Sequence, residues 1–409
     1  MRRDSHSSRQ PKGRSPRVVR PTRRIRKIAI NTGGGDAPGL NAVIHGAVYA
    51  ARELGWEIVG IRDGYDGLLE PERYPQGGLI PLTRSMVREI PHLGGTILGT
   101  TNRGNPFRRI IEDPDGSTRE IDCSGDLVRR FRENEIDALI AVGGDGSLTI
   151  ANQLRQQGLW VVGVPKTIDN DLESTATTFG FNTAVSFATE CIDRLHSTAH
   201  SHQRIMVVEV MGRYAGWIAL HAGLAGRADA ILIPEIPYNI EFVAAHLTRK
   251  HEDDKPYSIV VVAEGAKPIG GDVKVKAREA GRVERLGGVG ETVAEQLQEL
   301  TGKESRSIVL GHLLRGGAPT AFDRNLGVAF GAGAVMALAQ GLDGVMVALK
   351  PPRLEFVPLE QAIAKLRLVP PDGEFVVVAR TVGVCFGDMA QHTAAAGSRQ
   401  ALLGATSTS

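Results

Sequence analysis

Short apolar segments alternate with longer amphipathic segments along most of the chain, and this alternation constrains the fold more than any other feature. Glycine, proline or polar residues lie at both ends of the short segments, which is typical of strands buried on both faces. In the longer segments apolar residues recur at spacings of three and four, which predicts helices. The pattern therefore predicts an α/β protein with mainly parallel, doubly wound sheets and helices on both faces. The predicted strands are 27–31, 57–62, 138–142, 159–164, 204–210, 230–233, 258–263, 307–310 and 345–349; the predicted helices are 40–54, 148–157, 184–199, 215–224, 289–300 and 322–339; and 267–288 is predicted to be a surface loop.

Length and composition favour a two-domain globular protein of the cytoplasm. A chain of 409 residues is too long for one ordinary core. The stretches 1–26 and 391–409 lack sustained apolar periodicity and are predicted to be flexible tails. The first is basic and could contact nucleic acid, but a solvating role is favoured, and a net charge of +2 indicates no nucleic-acid partner. The three cysteines lack metal or CxxC spacing, which predicts free thiols, and no apolar run reaches the roughly 18 residues of a membrane span.

The stretch from Pro165 to Asp171 (PKTIDND) concentrates polar chemistry directly after a predicted buried strand. In an open α/β sheet, ligands bind outside the carboxyl ends of the strands, so this stretch lies where a reaction centre is expected. An Asx-rich turn, in which Asp169, Asn170 and Asp171 bind backbone amides, explains the same residues equally well. The sequence pattern by itself leaves both interpretations open.

Two glycine-rich loops follow predicted strands and precede predicted helices, at 33–39 (GGGDAPG) and 143–147 (GGDGS). Glycines let backbone amides approach an anion, and a helix N-terminus adds a favourable dipole, so the first loop is a candidate phosphate cradle. Asp145 in the second loop is a candidate ligand of Mg²⁺, which often takes only one or two protein oxygens. The alternatives are an ordinary tight turn for the first loop and a helix N-cap role for Asp145.

Basic residues lie at the ends of two other predicted strands. Arg204 begins one strand and Arg213 follows it; Arg306 precedes the next, and His312 and Arg315 follow that one. Converging guanidinium groups would bind a phosphorylated sugar through bidentate contacts with phosphate oxygens. Taken singly, each arginine is more simply explained as a surface ion-pair partner.

Five motifs occur in a fixed order, namely GGDAPG at 34–39, GGDGS at 143–147, P-x-TIDND at 165–171, MGR at 211–213 and GHxxRGG at 311–317. Together they resemble the 6-phosphofructokinases, over about 27–349. The resemblance implies a nucleotide and Mg²⁺ domain formed by 27–180 plus about 314–360, and a sugar-phosphate domain formed by 181–313 plus about 361–390. It also implies ATP and fructose 6-phosphate as substrates, Mg²⁺ as cofactor, and a homo-oligomer, most simply a tetramer.

The resemblance also implies roles for individual residues. Asp169 would take the proton from the 1-hydroxyl of fructose 6-phosphate, with Thr167 and Asp171 beside it as partners of the substrate and the metal site, while Arg213 would support the transferring phosphoryl group. An unperturbed aspartate is ionised at neutral pH, so Asp169 needs no unusual pKa to act as the base. The implied substrate-binding residues are Thr167, Asp169, Asp171, Arg204, Met211, Gly212, Arg213, Glu264, Arg306, His312 and Arg315, of which Arg204 and Arg306 come from a neighbouring protomer in bacterial members. The implied donor-binding residues are Gly34, Arg103, Asp145, Gly146, Ser147 and Lys166, with Asp145 as the metal ligand.

Two residues bear on the identity of the phosphoryl donor, and they favour different donors. In the family this sequence resembles, ATP users have glycine at the position of Gly146, where many pyrophosphate users have an aspartate that would repel the α-phosphate. Lys166 occupies a position where pyrophosphate users have lysine and the shorter bacterial ATP enzymes have glycine. ATP is the predicted donor, because a lysine tolerates ATP more easily than a buried aspartate does, and pyrophosphate is the alternative.

Two further expectations concern regulation and the competing functions. His45 and His196 occupy positions where bacterial members have two effector-binding arginines, so weak or absent control by ADP and phosphoenolpyruvate is predicted. A GGDG[ST] loop also occurs in NAD and lipid kinases, but without TIDND, MGR and GHxxRGG. A non-catalytic sugar-phosphate sensor or regulatory subunit is the alternative from a different class, and it would not need a base such as Asp169 facing the acceptor hydroxyl.

Overall fold

The computed structural model of the protein describes residues 24–102, 104–112, 116–252, 256–277 and 285–388. The strands are β1 (Lys27–Thr32), β2 (Glu57–Ile61), β3 (Leu79–Pro81), β4 (Arg109–Glu112), β5 (Thr118–Ile121), β6 (Ala138–Gly143), β7 (Trp160–Pro165), β8 (Ile205–Val210), β9 (Ala230–Leu232), β10 (Ser258–Ala263), β11 (Val275–Ala277), β12 (Arg285–Leu286), β13 (Ser305–Val309), β14 (Val345–Lys350) and β15 (Arg353–Pro358). The helices are α1 (Leu40–Glu53), α2 (Asp66–Leu69), α3 (Arg84–Val87), α4 (Ser124–Glu133), α5 (Asp145–Gln156), α6 (Phe181–His202), α7 (Trp217–Ala225), α8 (Ile240–Glu252), α9 (Val289–Thr301), α10 (Ala321–Ala339), α11 (Leu359–Ala362) and α12 (Glu374–Thr381), with 3₁₀ turns at Pro71–Arg73 and Gly311–Arg315.

Two sheets organise these elements. The larger has seven strands in the order β15-β14-β7-β6-β1-β2-β3, parallel except for its two antiparallel edges, β3 and β15. The smaller has four strands in the order β13-β8-β10-β9, all parallel. An apolar cluster covers each face of each sheet, as doubly wound packing requires. The predicted fold class is confirmed.

The large sheet is built from residues 27–165 and 345–358, and the small sheet from 205–263 and 305–309. These sheets support the predicted two-domain division, whose boundaries stay a prediction. One apolar cluster joins Ala37 and Ile168 from loops that follow large-sheet strands to Val208 and Val261 of the small sheet. The first glycine loop and the TIDND turn therefore lie where the two halves of the molecule meet.

Helices α1 and α10 pack side by side on one face of the large sheet because glycines remove the side chains between them. A Cβ on Gly331 would lie 2.1 Å from the Val43 carbonyl oxygen, and one on Gly46 would lie 2.3 Å from that of Val328. Real Cβ atoms do not approach backbone atoms this closely, so larger residues at either position would force the two helices apart.

Every predicted strand is present, with ends shifted by one or two residues at most, and every predicted helix is present within three residues. The elements that the sequence pattern did not predict are mostly edge strands or charged helices. In the charged helix α4, for example, the buried apolar residues are only Leu127, Val128 and Phe131. The predicted loop at 267–288 is partly wrong, because β11 and β12 pair there as a short antiparallel ladder.

The cysteine prediction is confirmed, since Cys123, Cys191 and Cys385 are free thiols. Within the described residues, the helices are all too short or too polar to cross a bilayer. The predicted tails 1–26 and 391–409 lie outside the described residues, apart from 24–26.

Candidate active site

Hydrogen bonds of the neutral polar residues Thr167, Asn170 and Thr178 fix the shape of the TIDND turn. Strand β7 ends at Pro165, as predicted. Asn170 has a φ of 54°, and its Oδ1 accepts a hydrogen bond from the Thr178 backbone N–H at 3.1 Å. The Thr178 hydroxyl donates to the Thr167 carbonyl oxygen at 2.6 Å, and the Thr167 hydroxyl accepts from the Asp169 N–H at 3.0 Å. The Asx-turn interpretation is therefore correct for Asn170, and it leaves the Asp169 carboxylate available for chemistry.

The Asp169 carboxylate is in an environment that a structural aspartate would avoid. Part of the residue reaches the surface, but its Oδ1 is buried and has no hydrogen-bond partner among the described residues. Burial, followed by the nearby Asp171 carboxylate, raises the pKa of Asp169 to about 7. Burial also raises the pKa of Asp171, although the hydrogen bond from Thr167 acts in the opposite direction. The pKa of Asp169 therefore differs strongly from that of an unperturbed aspartate, and such shifted groups cluster at functional sites.

The two glycine loops lie against each other at the carboxyl ends of β1 and β6. A Cβ on Gly33 would lie 2.9 Å from the Ser147 Oγ, so the loops are in contact. Gly39, the residue before α1, has a φ of 109°, which glycine adopts without strain. The Thr100 hydroxyl donates to the Gly34 carbonyl oxygen at 2.6 Å, which fixes the first loop. Arg103, a predicted donor-binding residue, lies outside the described residues.

Two cations hold the first glycine loop through its carbonyl groups. The Lys166 ammonium donates to the Gly35 carbonyl oxygen, and the Arg315 Nη1 donates to that of Asp36 at 3.1 Å. Burial, followed by the positive charge of Arg315, lowers the pKa of Lys166 to about 8. A Cβ on Gly35 would lie 2.6 Å from the Arg315 Nη1. Sequence reasoning assigned no role to Gly35 or Asp36, because carbonyl acceptors leave no signature in residue type.

Asp145 begins α5, whose N-cap is Gly144, so the N-cap alternative is wrong for Asp145. Burial raises the pKa of the Asp145 carboxyl, and the nearby Asp171 carboxylate raises it further. Two carboxylates close enough to repel each other suit a Mg²⁺ ion. The described part of the chain holds no group of three or more His, Cys, Asp or Glu residues suited to a metal, so an ion here would need water or phosphate oxygens as well. The adjacent Gly146 is exposed, and a Cβ there would have nothing within 4 Å.

The residues predicted to bind the sugar phosphate follow three adjacent strands of the small sheet. Met211, Gly212 and Arg213 follow β8, and Glu264 follows β10; the Glu264 N–H donates to the Val210 carbonyl oxygen at 2.9 Å. Gly212 has a φ of 144°, which a side chain would disfavour. His312 and Arg315 lie on the 3₁₀ turn after β13, where the His312 side chain is exposed.

The charged groups around Glu264 connect this region to the two glycine loops. Burial raises the pKa of the Glu264 carboxyl, while the guanidinium groups of Arg213 and Arg315 act in the opposite direction. Arg315 also interacts with Asp169 and Lys166. The structure therefore brings Asp169, Asp171, Arg213, Glu264 and Arg315 into one charged centre beside the two glycine loops.

Arg204 and Arg306 are not part of this centre within one chain. Both lie at the amino ends of their strands, beside β8 and β13, whereas Arg213 and Arg315 follow the carboxyl ends. The Glu304 carboxylate pairs with both, at 2.6 Å from the Arg204 Nε and also with the Arg306 guanidinium. A six-residue strand is about 20 Å long, so these arginines lie too far away to share a ligand with Arg213 of the same chain.

A cavity of about 520 Å³ lies elsewhere, lined by Leu224, Arg227, Ala228, Asp229, Lys250, Val382 and Val384. Arg227 to Asp229 precede β9, so the cavity is at the amino ends of the strands. It contains none of the predicted site residues and is separate from the charged centre.

Comparison with known proteins identifies a family and several relatives of similar sequence. A family model described as phosphofructokinase matches residues 27–338. An ATP-dependent 6-phosphofructokinase of Chloroflexus aurantiacus is 49% identical over 362 residues, covering 88% of this chain and 98% of the relative. A pyrophosphate–fructose 6-phosphate 1-phosphotransferase of Amycolatopsis methanolica is 50% identical over 351 residues, covering 85% and 97%.

A solved structure of phosphofructokinase from Saccharomyces cerevisiae superposes with a TM-score of 0.70 and 29% sequence identity. The match covers 83% of this chain but 45% of that chain, so the present chain spans about half the length of the yeast subunit. The resemblance inferred from the five motifs is confirmed by the family model and by relatives that match over nearly their whole length. The chain belongs to the phosphofructokinase family.

Proposed function

We propose that the chain is an ATP-dependent 6-phosphofructokinase, which transfers the γ-phosphoryl group of MgATP to the 1-hydroxyl of fructose 6-phosphate and forms fructose 1,6-bisphosphate. The observation that carries the proposal is the Asp169 carboxylate, whose buried Oδ1 has no described partner and lies in the same centre as Arg213 and Arg315. A buried acceptor without a donor is costly, so its retention indicates a ligand that supplies a proton.

The acceptor side requires a base and a fixed sugar. Asp169 takes the proton of the 1-hydroxyl as that oxygen attacks phosphorus, and its raised pKa brings it closer to the range of an efficient general base. Arg213 neutralises charge on the transferring group, which is the main requirement of phosphoryl transfer. Glu264, His312 and Arg315, with Met211 and Gly212, surround the sugar phosphate.

The donor side requires space and backbone amides. The exposed, open position of Gly146 leaves room beside α5 for the α-phosphate and nucleoside of ATP. Gly34, Ser147 and Lys166 line the phosphates. Asp145 and Asp171 would hold Mg²⁺, which would neutralise donor phosphate charge. A relative at 49% identity is named as ATP-dependent, in agreement with this assignment.

Pyrophosphate is the second candidate donor, and a specific observation favours it. The Lys166 ammonium is buried against the first glycine loop, where a compact charge would suit the oxygens of pyrophosphate. The relative from Amycolatopsis methanolica, at 50% identity, carries the pyrophosphate name. We favour ATP because Gly146 leaves open the space that a nucleotide needs.

The position of Arg204 and Arg306 supports a homo-oligomer, most simply a tetramer. They are too far from Arg213 of their own chain, so we propose that they complete the sugar-phosphate site of a neighbouring protomer. The predicted domain division and a cytoplasmic location belong to the same proposal.

The decisive assay measures fructose 1,6-bisphosphate formed from fructose 6-phosphate and Mg²⁺, with ATP in one reaction and pyrophosphate in another. We expect kcat/KM to be higher with ATP. A higher value with pyrophosphate would reverse the donor assignment. Absence of product with both donors, together with measurable binding of fructose 6-phosphate, would favour the non-catalytic sensor.

A further inference from the structure

The segment 365–369, here named the C-terminal strap, crosses between the two halves of the molecule. It follows α11, whose Leu359 and Ala362 pack in an apolar cluster on the large sheet. It precedes α12, whose Val376 and Ala379 pack in a cluster on the small sheet. The strap is therefore placed to fix one half against the other.

On one side, the strap is bonded to the chain that carries the catalytic aspartates. Leu366 forms an antiparallel β-bridge with Leu172. The Arg367 backbone N–H donates to the Asp171 carbonyl oxygen at 2.8 Å, and its side-chain Nη1 donates to that of Ala176 at 2.9 Å. One residue thus holds both limbs of the loop that follows Asp169.

On the other side, the strap is bonded to the start of α7, a few residues beyond Arg213. The Arg367 carbonyl oxygen accepts from the Trp217 Nε1 at 2.9 Å, and the Arg367 guanidinium lies over the indole ring, with Cζ 4.7 Å from its centroid. The Val369 N–H donates to the Glu235 Oε1 at 2.8 Å, and the same carboxylate accepts from the Gly216 N–H at 3.0 Å. Gly216 and Trp217 are tied to the strap by separate bonds.

We propose that Arg367 is a positioning residue for phosphoryl transfer, which sets the Asp169–Asp171 turn at the correct distance from the Arg213 loop. This inference rests on the proposed function, because transfer requires a base on one loop and a phosphate-supporting arginine on the other. Rates of such reactions fall steeply when reacting groups are misplaced by about 1 Å. Arg367 contacts the Asp171 backbone on one side and Trp217, which begins α7 four residues after Arg213, on the other, so it acts through these two residues rather than on the substrate.

The test is Arg367→Met, which keeps the stem and the backbone bonds of Arg367 but removes the bond to Ala176 and the cation over Trp217. We expect kcat to fall about tenfold with KM for ATP within twofold, because positioning affects the transition state more than donor binding. Arg367→Lys, which keeps a cation over the indole, should recover most of the loss. The matched control is Arg380→Met, since Arg380 also stacks on an aromatic ring, Phe386 at 4.9 Å, and pairs with Asp388 at 2.7 Å.

A second measurement does not depend on activity. Amide hydrogen exchange of the ligand-free protein should accelerate at 171–178 and at 213–217 in Arg367→Met, by about fivefold or more, and not in Arg380→Met. If Arg367→Met does not fold, Trp217→Phe removes the bond to the Arg367 carbonyl oxygen and should give the same fall in kcat and the same exchange pattern.

The outcomes separate this inference from the proposed function. Wild-type protein that forms no product with either donor would contradict the proposed function, and the exchange rates would still show whether the strap orders both loops. An active wild type, with kcat and exchange in Arg367→Met equal to those in Arg380→Met, would overturn the positioning role. A lowered Tm with unchanged kcat would show that Arg367 only stabilises the fold.

Discussion

The donor and acceptor sides of the site consist of different kinds of chemical groups. The donor side consists of glycine loops, backbone groups and a lysine that is already bonded to a carbonyl oxygen, with open space at Gly146. The acceptor side consists of buried carboxylates, where burial, followed by the nearby Asp171 carboxylate, raises the pKa of Asp169. Donor specificity therefore depends on the space left where a side chain is absent, at Gly146. Acceptor chemistry depends instead on carboxylates that the fold buries, although burial disfavours their charged form.

The largest effect should come from Asp169→Asn on the acceptor side. Loss of the base should lower kcat about 10³-fold, within the usual range for general base catalysis. Binding of fructose 6-phosphate, measured by calorimetry, should change less than threefold, because the amide has nearly the same shape. The control is Asp126→Asn at an exposed pair with Arg129. Near-normal turnover of Asp169→Asn would remove Asp169 as the base.

A substitution on the donor side, Gly146→Asp, should separate the two donors. The new carboxylate would enter the space next to the α-phosphate, so kcat/KM for ATP should fall about 100-fold, since repulsion and desolvation add. Activity with pyrophosphate, which has no α-phosphate or nucleoside, should change less than fivefold. Gly125→Asp is the matched control, because Gly125 is also the second residue of a helix and a Cβ there also has nothing within 4 Å. Equal losses with both donors would contradict this account of the donor side.

Arg306→Ala tests the proposal that a neighbouring chain completes the acceptor side. KM for fructose 6-phosphate should rise about tenfold, as expected for loss of a charge-assisted phosphate contact. If Arg306 acts in the neighbouring site, co-assembly of equal amounts of Arg306→Ala and Asp169→Asn chains, assayed at fructose 6-phosphate well below KM, should restore about a quarter of wild-type activity, because random assembly in a closed oligomer makes that share of sites intact. No recovery above the two separate variants would place Arg306 outside the neighbouring site.

The sequence predicts the parts of the molecule that depend on periodicity or on residue type. Buried parallel strands such as β10 are buried throughout and apolar after Ser258, so their bounds can be predicted, whereas the edge strands β3 and β15 carry exposed residues and were not predicted. At the site, side-chain chemistry identified Asp169 and Arg213 through their motifs. The pKa of Asp169, the carbonyl contact of Lys166 and the strap at Arg367 arise from tertiary packing between distant segments, and no local pattern records them.

The smallest predicted effect is a gain in stability from Asp169→Asn, which follows from the same buried charge that the first prediction uses. The pKa of folded Asp169 is about 7, above the value of roughly 4 in an unfolded chain, so folding opposes ionisation of this group. The wild type therefore loses no stability from Asp169 below about pH 4, loses it progressively between about pH 4 and 7, and keeps the full loss above pH 7. One pKa unit corresponds to about 1.4 kcal/mol, and the amide still buries a polar atom, so we expect a gain of about 2 kcal/mol at pH 8.

Thermal unfolding of both proteins in EDTA should show a Tm difference that is larger at pH 8 than at pH 5, while Asp126→Asn shows no such trend. A difference that does not vary with pH would show that Asp169 is not destabilised by its charge, and it would remove the contrast between an open donor side and a strained acceptor side.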